Sequence, residues 1–137
     1  MTRLSRAEQD EKSLSRRKTV FVVDDDPGML RGVKRLLSQY GYDSILFDSA
    51  EAFLNHDNLD EAFCAILDVN LSDASGIEVN HRLKAGRISL PVIFITGNDI
   101  PATRTAAIAS GCLAYLTKPF VAKSLIETIE RAAAGLA

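Results

Sequence analysis

The chain predicts one α/β domain, a doubly wound (βα)5 sandwich around a five-stranded parallel sheet, and three observations lead there. Short apolar runs recur five times with helix-like segments between them. The runs are continuous rather than alternating, as in parallel strands covered on both faces. Polar, chemically capable residues collect where the runs end, and in such a sheet those ends meet at one crevice beside the topological switch point.

The first run is Val20-Phe21-Val22-Val23, β-branched and aromatic, and it stops at Asp24-Asp25-Asp26-Pro27. Leu30, Val33, Leu37 and Tyr40 then fall on one helical face that ends at Gly41, with Pro27 near the first turn, where its missing N–H is harmless. Ser44-Ile45-Leu46-Phe47 is short and flanked by polar residues, which suits a more exposed strand. Ser49 is the expected N-cap of a short second helix through Leu54. Phe63–Leu67 is the third strand and ends in Asp68. A helix over Ser75 to about Lys84 follows, then the strand Pro91–Ile95, ending in Thr96-Gly97. The segment Ile100–Ser110 is mostly Ala, Thr and Ser, with Ile100 and Ile108 as its large apolar anchors, so a weakly held, mobile helix is expected. Leu113-Ala114-Tyr115-Leu116 leads into Thr117-Lys118-Pro119, and Val121, Leu125, Ile129 and Ala132/Ala133 mark a last amphipathic helix.

The bulk numbers fit this picture and exclude others. At 137 residues the chain is long enough to bury one core of its own, and 47% hydrophobic with 25% charged residues is an ordinary globular composition. The net charge of −2 is unevenly placed: residues 1–18 hold six Lys/Arg and three acids, a net of +3, so the remainder carries −5. An acidic body has no general affinity for nucleic acid, and the short mixed-sign tail reads as a disordered extension over 1–18 preceding a domain over 19–136. Cys64 and Cys112 share no metal-ligand spacing, and Cys64 reads as a small core residue. His56 and His81 lie in polar segments and read as surface positions. No apolar stretch is long enough to span a membrane and no apolar leader opens the chain, so a cytoplasmic protein with no membrane partner is expected.

The chemistry sits at the strand ends. Adjacent carboxylates repel, and a fold tolerates three together when a hard cation such as Mg²⁺ shares the site. One acid suffices to cap a helix, and Asp24-Asp25-Asp26 exceeds that need. With Asp68, Thr96 and Lys118 the inventory becomes carboxylates, one hydroxyl and one ammonium, a set suited to phosphoryl transfer.

Four stretches carry a family resemblance: Val22-Val23-Asp24-Asp25-Asp26-Pro27, Leu67-Asp68-Val69-Asn70-Leu71 with Gly76 eight residues past Asp68, Phe94-Ile95-Thr96-Gly97, and Ala114-Tyr115-Leu116-Thr117-Lys118-Pro119-Phe120. In this order and spacing the chain resembles the receiver domains of two-component response regulators over about residues 18–136. The resemblance implies a flavodoxin-like strand order, Asp68 as phospho-acceptor, and Mg²⁺ held by Asp24, Asp25, Asp68 and the backbone carbonyl of Asn70. It implies Thr96 as hydrogen-bond donor to the phosphoryl oxygen, Lys118 as its ion-pair partner, Tyr115 as an aromatic switch, and a small residue, Gly97, where the phosphodonor approaches. It also implies a histidine kinase or histidine phosphotransfer protein upstream, a protein target downstream, a dimer on phosphorylation, and a switch rather than an enzyme. Asp68 must be ionised to attack, and Mg²⁺ and Lys118 offset the neighbouring carboxylates that oppose this.

One position departs from the family. Ser72 stands where a proline is usual four residues after the acceptor, and without its fixed φ a looser Asn70–Gly76 loop is expected. Asn70 and Asn98 occupy the positions that tune hydrolysis in the family. Two other readings compete. In a haloacid-dehalogenase-type phosphatase, Asp24 and Asp26 would form the Asp-x-Asp pair, but Pro27-Gly28 and the missing late acids speak against it. The other is a receiver-like binding module that never takes phosphate. Because the chain stops at Ala137 after the last helix, a stand-alone receiver, or one cut from a longer protein, is the expectation.

Overall fold

The computed structural model describes residues 5–8 and 18–135. Of the expected extension over 1–18, residues 1–4 and 9–17 lie outside the described residues. From Thr19 the order is β1 (Thr19–Val23), α1 (Pro27–Gln39), β2 (Asp43–Phe47), α2 (Ala50–Leu54), β3 (Cys64–Asp68), α3 (Gly76–Ala85), β4 (Val92–Thr96), α4 (Pro101–Ala109), β5 (Ala114–Thr117) and α5 (Ala122–Ala134). The strands form one parallel sheet in the order β2-β1-β3-β4-β5. The order reverses between β1 and β3, so the crevice opens over the ends of those two strands, at Asp24 and Asp68.

Alternation along each strand feeds two cores. Phe21, Val23, Ala65, Leu67, Val92 and Phe94 face α2, α3 and α4, where Phe53, Val79, Leu83 and Ala107 meet them. Val20, Val22, Cys64, Ile66, Ile93 and Ile95 face α1 and α5, packing on Leu30, Val33, Leu37, Leu125 and Ile129. The three central strands β1, β3 and β4 are buried on both faces, hence their unbroken apolar sequence. Edge strand β2 is buried fully only at Phe47. Each large side chain of this kind stabilises the fold by about 1.5–3 kcal/mol when buried.

Helix ends follow local rules. Ser49 and Ser75 cap α2 and α3 through Ala52 N and Ile77 N. Gly41 follows α1 at φ +82°, a left-handed conformation that stops the helix at little cost for glycine alone.

Four expectations need correction. Tyr40 is not on the buried face of α1: it caps the helix end and is 54% exposed. Ile100 and Ile108 do not anchor α4, being exposed; Ala107 is the residue that helix buries. Val121 precedes α5 at its N-cap and is exposed, so the apolar stripe begins at Leu125. His56 is not a bare surface residue, because its ring packs edge-on against Phe21 and Phe47 and pairs with Glu61. His81 is exposed and Cys64 buried, as expected. No helix among the described residues is long and apolar enough to cross a membrane.

Candidate functional site

Strand β1 delivers Asp24 to the crevice with none of its surface exposed, and its backbone N–H donates to Phe47 O at 3.1 Å, continuing the sheet. Asp25 follows on the surface. Asp26 is separate in role: its carboxylate accepts from Gly28 N at 2.9 Å and caps α1. The acid triplet thus divides into one capping residue and two that turn toward Asp68.

Asp68 ends β3 and is nearly buried. Its Oδ1 accepts from Asn70 N at 2.9 Å and its Oδ2 from Lys118 Nζ at 2.9 Å. The same ammonium donates to Asp24 Oδ2 at 3.0 Å, while Asp24 Oδ1 accepts from Asp26 N at 2.9 Å. Lys118 reaches both from just past β5, where its N–H donates to Thr96 O and a cis peptide bond joins it to Pro119. One carboxylate oxygen each of Asp24, Asp25 and Asp68 lies within 4.8 Å of the others.

Burial pushes the Asp24 carboxyl above its ordinary value, against the Asp26 N–H and Lys118, which favour the charged form; Asp68 adds to the upward push. Burial also works against the Lys118 ammonium, but its hydrogen bonds to Asp68 and Asp24 prevail and raise it. Asp24 and Asp68 therefore share one ammonium, and Asp25 stands beside them outside its contacts. That uncompensated negative charge, on oxygens close enough to meet at a single ion, fits a hard divalent cation.

Thr96 is fully buried at the end of β4. Its Oγ1 accepts from Asn98 N at 3.1 Å and from the Asn70 side-chain amide at 3.2 Å. The Asn70 side chain thus links the loop after Asp68 to Thr96, a contact that a reading limited to the Asn70 backbone carbonyl misses. A Cβ on Gly97 would touch only Lys118 Cδ, at 3.9 Å, so that side of the crevice is open. Tyr115 lies apart from the acids, with its hydroxyl donating to Asp99 Oδ1 at 3.1 Å and the Arg104 guanidinium 5.0 Å over its ring. Arg104 also pairs with Asp99, whose carboxyl the two donors, Arg104 foremost, hold below its ordinary value.

The Asn70–Gly76 loop, expected to be looser without the proline, carries several ties to its surroundings. Ser72 Oγ donates to Asp25 Oδ2 at 2.5 Å. Asp73 takes the N–H groups of Ala50 and Glu51 at the start of α2, at 3.0 and 2.9 Å. Asn70 bridges Ser75, and Gly76 N donates to Val69 O at 2.8 Å. From the position of the family's usual proline, a side-chain tie thus crosses the crevice to Asp25. Sequence reasoning missed these ties, and the departure at Ser72 was their one signal.

The arrangement also disfavours the phosphatase reading. Asp26, which would serve there as the second acid, is committed to capping α1, and both oxygens of Asp24 are engaged.

The response regulator receiver domain model matches residues 20–130. The response regulator protein TodT of Pseudomonas putida is 37% identical over 123 residues, 89% of this chain and 53% of that protein. Nodulation protein W of Bradyrhizobium diazoefficiens is 37% identical over 80% of this chain and 48% of its own length. The chain spans about half the length of these curated relatives. Among solved structures, the crystal structure of FixJ-N is 31% identical with a TM-score of 0.79, covering 87% of this chain and 95% of that one. With strand order, acid cluster and family match in agreement, this chain belongs to the response regulator receiver domains.

Proposed function

We propose that Asp68 is the phospho-acceptor of this receiver. The observation that carries the reading is the Lys118 ammonium hydrogen-bonded to Asp68 and Asp24 together, beside a third carboxylate, Asp25. Asp68 attacks the phosphorus of a phosphohistidine or acyl phosphate. A bond forms between its carboxylate oxygen and phosphorus as the bond to the donor atom breaks, and the electron pair leaves with the donor. Lys118 faces the growing negative charge, and Thr96 turns its hydroxyl from Asn98 and Asn70 toward a phosphoryl oxygen. Asp24, Asp25, Asp68 and the Asn70 carbonyl would hold Mg²⁺, which when bound neutralises charge on the phosphoryl oxygens. Movement of Thr96 withdraws its share of the contacts ordering the β4–α4 loop and biases Tyr115 and α4, which is held in the core by little more than Ala107.

The partners are a histidine kinase or histidine phosphotransfer protein and a downstream protein, the setting the cytoplasm, and pairing of two copies follows phosphorylation. The domain acts as a switch that catalyses only its own phosphorylation and dephosphorylation. The test is labelling with acetyl phosphate and Mg²⁺: one phosphoryl group per chain is expected, lost in Asp68→Asn. Label that persists in Asp68→Asn moves the acceptor elsewhere, and absence of label in the native chain favours a binding module.

A further inference from the structure

We infer that Ser72 is a positioning residue for the cation site, where its hydroxyl fixes the Asp25 carboxylate. The inference rests on the reading of Asp24, Asp25 and Asp68 as cation ligands. Two of those carboxylates are held by other groups: Asp24 by Asp26 N and Lys118, Asp68 by Asn70 N and Lys118. Asp25 is exposed and lies beyond the ammonium's contacts. Ser72 supplies what it lacks, a donor to Oδ2, reached across 47 residues of sequence. A hydroxyl occupies one oxygen of the carboxylate and leaves Oδ1 free to turn to an ion. The serine is itself presented by a braced loop, since its neighbour Asp73 is tied to the start of α2 and Asn70 to Ser75. Hydrogen bonds of this kind orient ligating carboxylates, and their loss typically weakens metal binding by about 10–100-fold. Asp25 is exposed, so the lower end applies here.

The usual proline of the family separates two explanations. If position 72 acts through backbone stiffness, Ser72→Pro preserves Mg²⁺ binding; if it acts through the hydroxyl, proline is as harmful as alanine. The experiment is a Mg²⁺ titration of the full chain read by backbone amide shifts, with thermal melting in EDTA to verify that each variant folds. Ser72→Ala and Ser72→Pro are expected to bind roughly tenfold more weakly. Ser72→Thr, which keeps a hydroxyl, retains native affinity, and in an Asp25→Ala background Ser72→Ala adds no further loss. Native affinity in Ser72→Ala or Ser72→Pro overturns the inference, as does an equal loss from Ser72→Ala with and without Asp25. A native chain that binds no Mg²⁺ overturns the cation reading itself, and the inference with it.

Discussion

Gly76→Ala is the perturbation that most directly tests how Asp68, the proposed acceptor, is seated. Gly76 opens α3, and its N–H closes the loop onto Val69 O. A Cβ at this position would lie 2.3 Å from Asp68 O, 3.1 Å from Asp68 C and 3.2 Å from Val69 Cα. All three are backbone atoms, so no side chain can rotate away. Restoring ordinary contact, about 3.5 Å, requires the Asp68 peptide to move by roughly 1 Å. Alanine gains up to about 1 kcal/mol of helix propensity, while overpacking against a fixed backbone costs about 1–3 kcal/mol. With the oxygen this close, the upper part of that range applies, and a net loss of about 2 kcal/mol follows. The chemistry should suffer more, because a misplacement of about 1 Å can slow an aligned reaction about 100-fold. Urea denaturation gives the first number and initial rates of acetyl phosphate labelling the second. A Gly76→Ala chain within about 0.5 kcal/mol of native stability and labelled at the native rate would refute the close-approach argument.

Lys118→Ala strands the buried Asp24 and nearly buried Asp68 without their shared cation, and in EDTA it should cost about 2 kcal/mol, below the usual range for a buried pair because the Lys118 side chain is 22% exposed. Mg²⁺ should recover much of that loss and still bind, while phosphorylation no longer shifts the Ile100–Tyr115 amide signals; an equal loss with and without Mg²⁺ would contradict the shared-charge account. Asp25→Ala removes the exposed carboxylate proposed as a ligand, and with it some repulsion, without disturbing the core, so its melting point in EDTA should be no lower than the native one. The native chain should gain about 2.7 kcal/mol at a hundredfold excess of Mg²⁺ over its Kd, and a variant with the same gain would undo the assignment. Asp73→Asn tests the loop brace by pH. The Glu51 and Ala50 N–H groups hold the Asp73 carboxyl below its ordinary value of 3.8, so its stabilising effect is present above that pH and lost as pH falls through the folded value. The stability gap between native and variant should therefore be constant near neutrality and close in acid; a gap that widens on acidification would reverse the sign.

What could be read from sequence alone follows from how local each cause is. Continuous apolar runs at Val20–Val23, Phe63–Leu67 and Pro91–Ile95 announce strands buried on both faces, and the structure buries all of these residues except the half-buried Pro91. The sheet order β2-β1-β3-β4-β5 is the expected one, and it brings Asp24, Asp25, Asp68 and Lys118 together. The misses share a different origin. Periodicity identifies a helical face but not where the neighbouring elements stop, so Tyr40 and Val121 continue their stripes on paper while lying past the packed region. In α4 the bulk of Ile100 and Ile108 misleads, since the helix approaches the sheet closely through Ala107. Ser72, Asp73 and Asn70 act on partners 26 to 47 positions away in the chain, or 22 to 23 in the case of Asp73, and no local pattern encodes such pairings.

The acid triplet shows how stability and chemistry separate within adjacent residues. Capping α1 needs one carboxylate, and Asp26 supplies it from an exposed position at little electrostatic cost. Asp24 does the opposite: it is wholly buried, its ionised form is disfavoured by that burial, and it stands beside a second buried acid. A neutral residue there would leave the apolar strand and the cap intact. Nothing in the packing requires the charge, so its presence is explained by a partner of opposite sign, and Lys118 is only half of one because Asp68 claims it as well. The remaining deficit lies at the mouth of the crevice, where Asp25 faces solvent and Ser72 holds it. On the proposed reading, a divalent ion entering from that side would complete the charge balance beside Asp68, and the repulsion among the carboxylates would favour its binding.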